Sequence, residues 1–211
     1  MELDELIKFT DNYLKFGASG IKIPSFYFNG IEIKDMEFTF MGEAKSPENK
    51  GKYIFLSKNI IAPIYIKDLL KLNGEVREDK SVGECDIFRI AAEYLDKEVF
   101  KITGNHIKPY TRTYDDHTYN EKLFLPLECE VLGDIEYSLN VGTAKRYPRW
   151  TGFSKGYFDK KLIGDKSIFL WNANKAGYPH SYCSISGEGY PLNIRLDSRY
   201  YTTGIVLAFC I

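Results

Sequence analysis

The spacing of apolar and polar positions changes several times along the chain, and each change marks an expected element. In residues 2–16, Leu3, Leu6, Ile7, Tyr13 and Leu14 share one face at helical spacing. Glu2, Asp4 and Glu5 stand where a helix dipole favours acids, and Lys15 where it favours a base. Gly17 is the expected C-cap, and GASG at 17–20 an expected flexible joint. From Ile21 to Met41 the period drops to two: Ile21, Ile23, Ile31 and Ile33 alternate with polar residues, and FNG at 28–30 supplies a hairpin turn. SPENKGK at 46–52 reads as a loop, YIFLSKNIIAPIYI at 53–66 as a buried strand broken by Pro63, and DLLKLNG at 68–74 as a helical turn stopped by Gly74.

Residues 85–100, CDIFRIAAEYLDKEVF, form the second expected helix, with Phe88, Ala91 or Ala92, Leu95 and Val99 as its buried stripe. The polar stretch from Thr103 to Lys122 reads as a long loop of functional or partner-contacting character. LFLPLECEVLG at 123–133 reads as a short helix with Pro126 in its first turn. Residues 134–166 are loop-rich, and SIFLWNAN at 167–174 is an expected strand.

The last thirty residues read as a three-stranded meander. Cys183 and Ile185 point inward before the glycine-bearing SGEG turn at 186–189. Leu192, Ile194 and Leu196 then alternate with Asn193, Arg195 and Asp197, as in a half-buried strand. GIVLAFCI at 204–211 is apolar on both faces, so a central strand covered on both sides is expected there.

Composition narrows the class. The 211 residues are 44% hydrophobic and 27% charged, which suits a folded globular chain rather than a disordered one. Twenty-eight basic against 29 acidic residues give a net charge of −1, so no field favours nucleic acid or an anionic membrane. No apolar run approaches the ~20 residues that span a bilayer, and the acidic, amphipathic N-terminus is unlike a signal peptide. Synthesis in the cytoplasm is expected. Sixteen Tyr and 14 Phe suit sheets and contact surfaces. Cys85, Cys129, Cys183 and Cys210 form no C-x-x-C pair, so scattered buried thiols are expected rather than a zinc or thioredoxin site.

The order of these segments resembles an uncharacterised domain family of phages, prophages and gut Firmicutes, itself similar to the C-type-lectin-like fold of the formylglycine-generating, sulfatase-modifying group. The resemblance covers residues 50–211. It rests on LFLPLECE at 123–130, LWNANKAG at 170–177 and GIVLAFCI at 204–211, where family members read vFLLS..E, WLRSPG and GVRPAL.I. Asn172 and Val206 stand where members carry arginines, so the resemblance implies a fold more than a specific site.

It implies an α+β, C-type-lectin-like domain at 46–211, with a twisted antiparallel sheet, two main helices and long loops. Residues 1–45 would be a helix and β-hairpin attachment segment. The implied function is a non-enzymatic phage or prophage virion component, displayed at a tail, baseplate or capsid surface. Its implied partners are other virion proteins, copies of itself and a host cell-surface glycan, without nucleic acid or membrane insertion. The alternatives are a carbohydrate-binding adhesin module and a sulfatase-modifying-type enzyme.

Candidate chemistry is sparse. Asp115, Asp116 and His117 are acceptable metal ligands, but a solvated loop is the better explanation and no further ligand is indicated, so no metal or cofactor is expected. The resemblance to formylglycine-generating enzymes draws attention to Cys183 and Cys210, expected on neighbouring strands; two core thiols explain the pair as well. The most suggestive ligand surface is Trp150, Trp171, Asn172, Asn174, Tyr178, Tyr190, Asn193 and Arg195. Aromatic rings there would stack on sugars or a protein partner, and the amides and Arg would hydrogen-bond. Against this stands a reading of the two Trp as core and of the Asn193–Arg195 row as plain solvated sheet.

Overall fold

A computed structural model describes residues 20–58, 60–76, 82–114, 117–126, 130, 168–169, 181–185, 191–195 and 202–211; for some of these, including 168–169, 181–185, 191–195, 202 and 203, only the backbone is described. The expected helix at 2–16 lies outside this set. The architecture is mixed α+β, built on curled antiparallel sheet with few helices.

The first hairpin is β1 (Ile21–Phe28) and β2 (Ile31–Glu43), antiparallel and joined by Asn29-Gly30. Both turn residues have positive φ, 51° and 74°, the left-handed pair that a two-residue hairpin of this twist requires. The inward residues are Ile21, Ile23, Phe26 and Phe28 on β1 and Met36, Phe38 and Phe40 on β2. Ile31 was expected to point inward with them. It is exposed, although its cross-strand partner Phe28 beside the same turn is fully buried. Strand β3 (Tyr53–Ser57) pairs with β2 across the expected boundary at 45/46, and one hydrophobic cluster includes residues from both sides of it.

Pro63 does not break the next strand. Strand β3 ends at Ser57, and β4 (Ile61–Tyr65) contains the proline. Strand β4 is the outermost of its sheet, and Pro63 lies at a register irregularity against the partner strand, so its missing N–H interrupts no regular ladder. The DLLKLNG segment also divides differently from expectation. One helical turn, α1 (Ile66–Leu69), is followed by a small hairpin of β5 (Lys71–Leu72) and β6 (Glu75–Val76). Asn73-Gly74 is a second positive-φ turn, a hairpin signal rather than a helix stop.

Helix α2 (Asp86–Thr103) matches its expected stripe. Phe88, Ala91, Ala92, Leu95 and Val99 are buried, Ile87 and Thr103 extend the face, and left-handed Gly104 caps the C-terminus. Phe28 of β1 meets Phe88 edge-on, with ring centroids 5.3 Å apart.

The polar stretch after α2 is not a loop. It folds into the hairpin β7 (Tyr110–Tyr114) and β8 (His117–Glu121). LFLPLECEVLG opens as a strand, β9 (Leu123–Phe124), and the expected short helix is represented among the described residues by Glu130. The later strands are β10 (Ile168–Phe169), β11 (Ser181–Ile185), β12 (Pro191–Arg195), β13 (Thr202–Ile205) and β14 (Ala208–Cys210). The β11–β12 pairing agrees with the expected meander.

Two five-stranded sheets result, ordered β1-β2-β3-β14-β9 and β12-β11-β10-β13-β4. The closing segment GIVLAFCI was expected to be one central strand. It is central and fully buried from Gly204 to Ile211, but it supplies two strands: β13 lies between β10 and β4, and β14 between β3 and β9. The step from one sheet to the other falls at Val206–Leu207, alongside the β3–β4 break. Ser57 closes this corner: its backbone N–H donates to Leu207 O (2.8 Å), and its Oγ accepts from Leu207 N–H (2.9 Å). A hydroxyl thereby replaces the ladder bond lost where the strands bend.

Candidate functional site

The hairpin missed in the sequence carries a closed charge cluster. Along β7, Tyr110 and Arg112 point inward and Thr113 outward, so the alternation is regular but the second inward residue is a cation. Arg112 Nη1 donates to Glu121 Oε2 at 2.8 Å, and Nη2 donates to Glu130 Oε2 at 2.8 Å and to Leu125 O at 3.0 Å. All three ionic side chains are buried. The guanidinium lies 4.4 Å from the Phe124 ring centre and 5.1 Å from that of Tyr110. Glu121 also accepts the Gly83 N–H at 2.9 Å, which ties the segment before α2 to β8. Every charge here has its partner within the fold, so the cluster organises structure.

Asn49 secures the other side of this hairpin. Its side-chain amide exchanges two hydrogen bonds with the Thr111 backbone, Nδ2 to Thr111 O at 2.6 Å and Thr111 N to Oδ1 at 2.8 Å, as a neighbouring strand would.

The thiols are structural where they are described. Cys85 and Cys210 are buried. Burial, reinforced by the carboxylates of Asp86, Glu121 and Glu84, pushes the Cys85 thiol up to about 12. Burial likewise pushes Cys210 up, and holds Tyr110 well above the ordinary phenol value. In the unfolded chain these groups ionise nearer their ordinary values; in the folded chain they stay protonated. The unfolded state therefore binds fewer protons at high pH, and stability should be intact below about pH 9 and fall as pH rises toward about 12. Urea midpoints measured across that window should decline, and a Cys85→Ala variant should decline less steeply. A midpoint independent of pH would contradict this burial.

Cys183 and Cys210 were expected on neighbouring strands. They belong to β11 and β14, which lie in different sheets and are not paired. The chain changes sheet between β13 and β14, which places Cys210 in the other sheet from Cys183.

Of the expected ligand surface, Trp150, Trp171, Asn172, Asn174, Tyr178 and Tyr190 lie outside the described residues. Asn193 and Arg195 stand on β12, opposite Cys183 and Ser181 of β11; their side chains lie outside the description. Asp115 and Asp116 are also outside it, and His117 is described only in its backbone, as the first residue of β8. Among the described residues no group of three His, Cys, Asp or Glu could hold a metal ion, and no helix is long and apolar enough to cross a membrane.

A different surface emerges where the two Asn-Gly turns meet the first turns of α2. A cavity of about 360 Å3 opens there, lined by Tyr27, Asn29 and Gly30 from the first hairpin, Asp68, Lys71 and Gly74 from the α1–β5 region, and Asp86, Ile87, Ile90 and Tyr94 from α2. Tyr27 and Tyr94 pack at a tilt, 5.6 Å between ring centres. Both remain exposed, at 47% and 44%, and Ile90 is 52% exposed. The carboxylates are paired: Lys71 Nζ donates to Asp68 at 2.7 Å, and Arg89 Nη2 to Asp86 at 3.1 Å. The Gly74 N–H reaches the other Asp86 oxygen at 3.3 Å.

None of these residues stood out in the sequence. The available signal was Ile90 and Tyr94, one turn apart on α2 and outside its buried stripe. Comparison of the chain with protein-family models, with curated proteins and with solved structures gave no match in any of the three.

Proposed function

We propose that this chain is a non-enzymatic component of a phage or prophage virion, acting at a tail, baseplate or capsid surface. Its C-type-lectin-like body presents a contact surface for assembly or for binding the host surface. The observation that carries the reading is the exposed corner of Tyr27, Ile90 and Tyr94. Two tyrosines and an isoleucine, each about half accessible and gathered around one cavity, form the kind of apolar patch that marks a contact site. The sequence resemblance supports the virion assignment and the lectin-like fold. Curled antiparallel sheet with few helices is compatible with the α+β class to which that fold belongs.

The partners in this reading are other virion proteins, further copies of the chain and a host-surface glycan. Sedimentation velocity of the purified chain, with co-sedimentation against particles from a producing culture, tests it. Self-association or particle association is expected, and Ile90→Glu is expected to weaken it while leaving the circular-dichroism spectrum unchanged. A chain that stays monomeric and never accompanies particles refutes the reading.

A further inference from the structure

The cavity at the exposed corner has a composition that selects a ligand class. Its aromatic wall comes from Tyr27 and Tyr94, and its apolar floor from Ile87 and Ile90. Its polar rim combines Asn29, Asp68, Lys71 and Asp86. The second cleft of similar size, about 370 Å3 between the α2 flank and β8–β9, is lined by Glu84, Arg89, Glu93 and Lys122 among others and by no aromatic side chain. The corner cavity is thus distinguished by its rings rather than by its charges.

Its charges are already balanced. Asp68 is engaged by Lys71 and Asp86 by Arg89, at 2.7 and 3.1 Å. A cationic ligand would meet a lysine or an arginine beside each carboxylate, and an anionic ligand a carboxylate beside each cation, so neither finds an uncompensated opposite charge. A neutral ligand bearing both donors and acceptors disturbs neither pair. It can donate hydroxyl protons to the remaining carboxylate lone pairs and accept from the Lys71 ammonium and the Asn29 amide. The exposed tyrosine faces add stacking area for a ring with C–H groups on one side, and their phenols add hydrogen bonds. The size falls within the range of small-molecule sites.

We propose that this corner cavity binds a neutral polyhydroxylated ring, a hexose unit of a glycan, with Tyr94 and Tyr27 as the stacking wall and Asn29, Asp68, Lys71 and Asp86 as the hydroxyl-binding rim. This deepens the host-surface arm of the proposed function and rests on it.

The test is an amide-resolved NMR titration of the full chain with galactose and N-acetylglucosamine. Glucuronate and glucosamine serve as ring-matched anionic and cationic probes. Saturable shifts at Tyr27, Gly30, Gly74 and Tyr94 are expected from at least one neutral probe, with a Kd on the order of 1 mM, the weak range typical of a single exposed subsite. Both charged probes should bind more weakly. Tyr94→Ala should weaken binding roughly tenfold through loss of the stacking face, while resonances remote from the corner stay in place.

The proposal is overturned if no probe moves these amides, if a charged probe binds as tightly as the neutral ones, or if Tyr94→Ala binds unchanged. Particle co-sedimentation separates the two claims. A chain that accompanies particles but binds no sugar keeps the virion reading and loses the cavity's ligand. A chain that binds sugar but never accompanies particles does the reverse.

Discussion

Phe209→Ala is expected to be among the most destabilising single substitutions in the protein, costing about 3–5 kcal/mol. Phe209 sits on β14, an interior strand of its sheet between β3 and β9, and is fully buried. Its ring stacks on Phe55 with centres 5.3 Å apart and planes within 10°, and meets Phe38 edge-on at 4.9 Å. Those two rings belong to β3 and β2, so the truncation opens a void that three strands share. Backbone relaxation cannot close it, because β14 is hydrogen-bonded to β3 on one side and β9 on the other. Chemical denaturation should show the full loss. A cost below about 1 kcal/mol would mean that this strand is not the centre of the core.

Arg112→Met is expected to cost a similar amount, about 3–5 kcal/mol, for an electrostatic reason. The substitution keeps much of the side-chain bulk but leaves Glu121 and Glu130 facing each other in a buried site without a cation. Leu125 O loses its donor as well. A control separates charge from packing. Arg112→Met combined with Glu121→Gln and Glu130→Gln removes the unpaired charges and should recover part of the loss, since a buried ion cluster replaced as a unit costs far less than one deprived of a single partner. If the triple variant is no more stable than the single one, the cost lies in shape rather than charge.

This arginine also shows why part of the fold was hidden in the sequence. A strand is recognised when the inward positions are apolar. In YTRTY at 110–114 the inward positions of β7 are Tyr110 and Arg112, and those of β8 include Glu121, so a polar composition conceals a regular period of two. Only the arrival of Glu121 and Glu130 beside Arg112 makes burial of the cation tolerable, and nothing local specifies that meeting. Pro63 misleads in the opposite direction. A proline ends a strand when both edges are paired, but β4 is outermost, and being outermost is a property of the assembled sheet.

The candidate site was concealed by the same kind of non-locality. Tyr27, Asp68, Asp86 and Tyr94 span nearly seventy positions of the chain and share no spacing. Their common feature is that two Asn-Gly hairpin tips and the start of α2 converge on one corner. The aromatic- and amide-rich surface expected from Trp150 to Arg195 rests on residue type alone, and its side chains lie outside the described residues.

The sequence alone determined the local elements whose physics is short-range: the Asn29-Gly30 hairpin, the extent and buried stripe of α2, and the burial of the closing apolar segment on both faces. Each depends on backbone conformation or on periodicity over a few residues. Tertiary structure alone decided that GIVLAFCI divides between two sheets at Leu207, that Arg112 is an interior residue, and which exposed side chains surround a common cavity. Those outcomes depend on partners far away in the chain, where hydrogen bonding, charge neutralisation and packing are satisfied only after the strands have met.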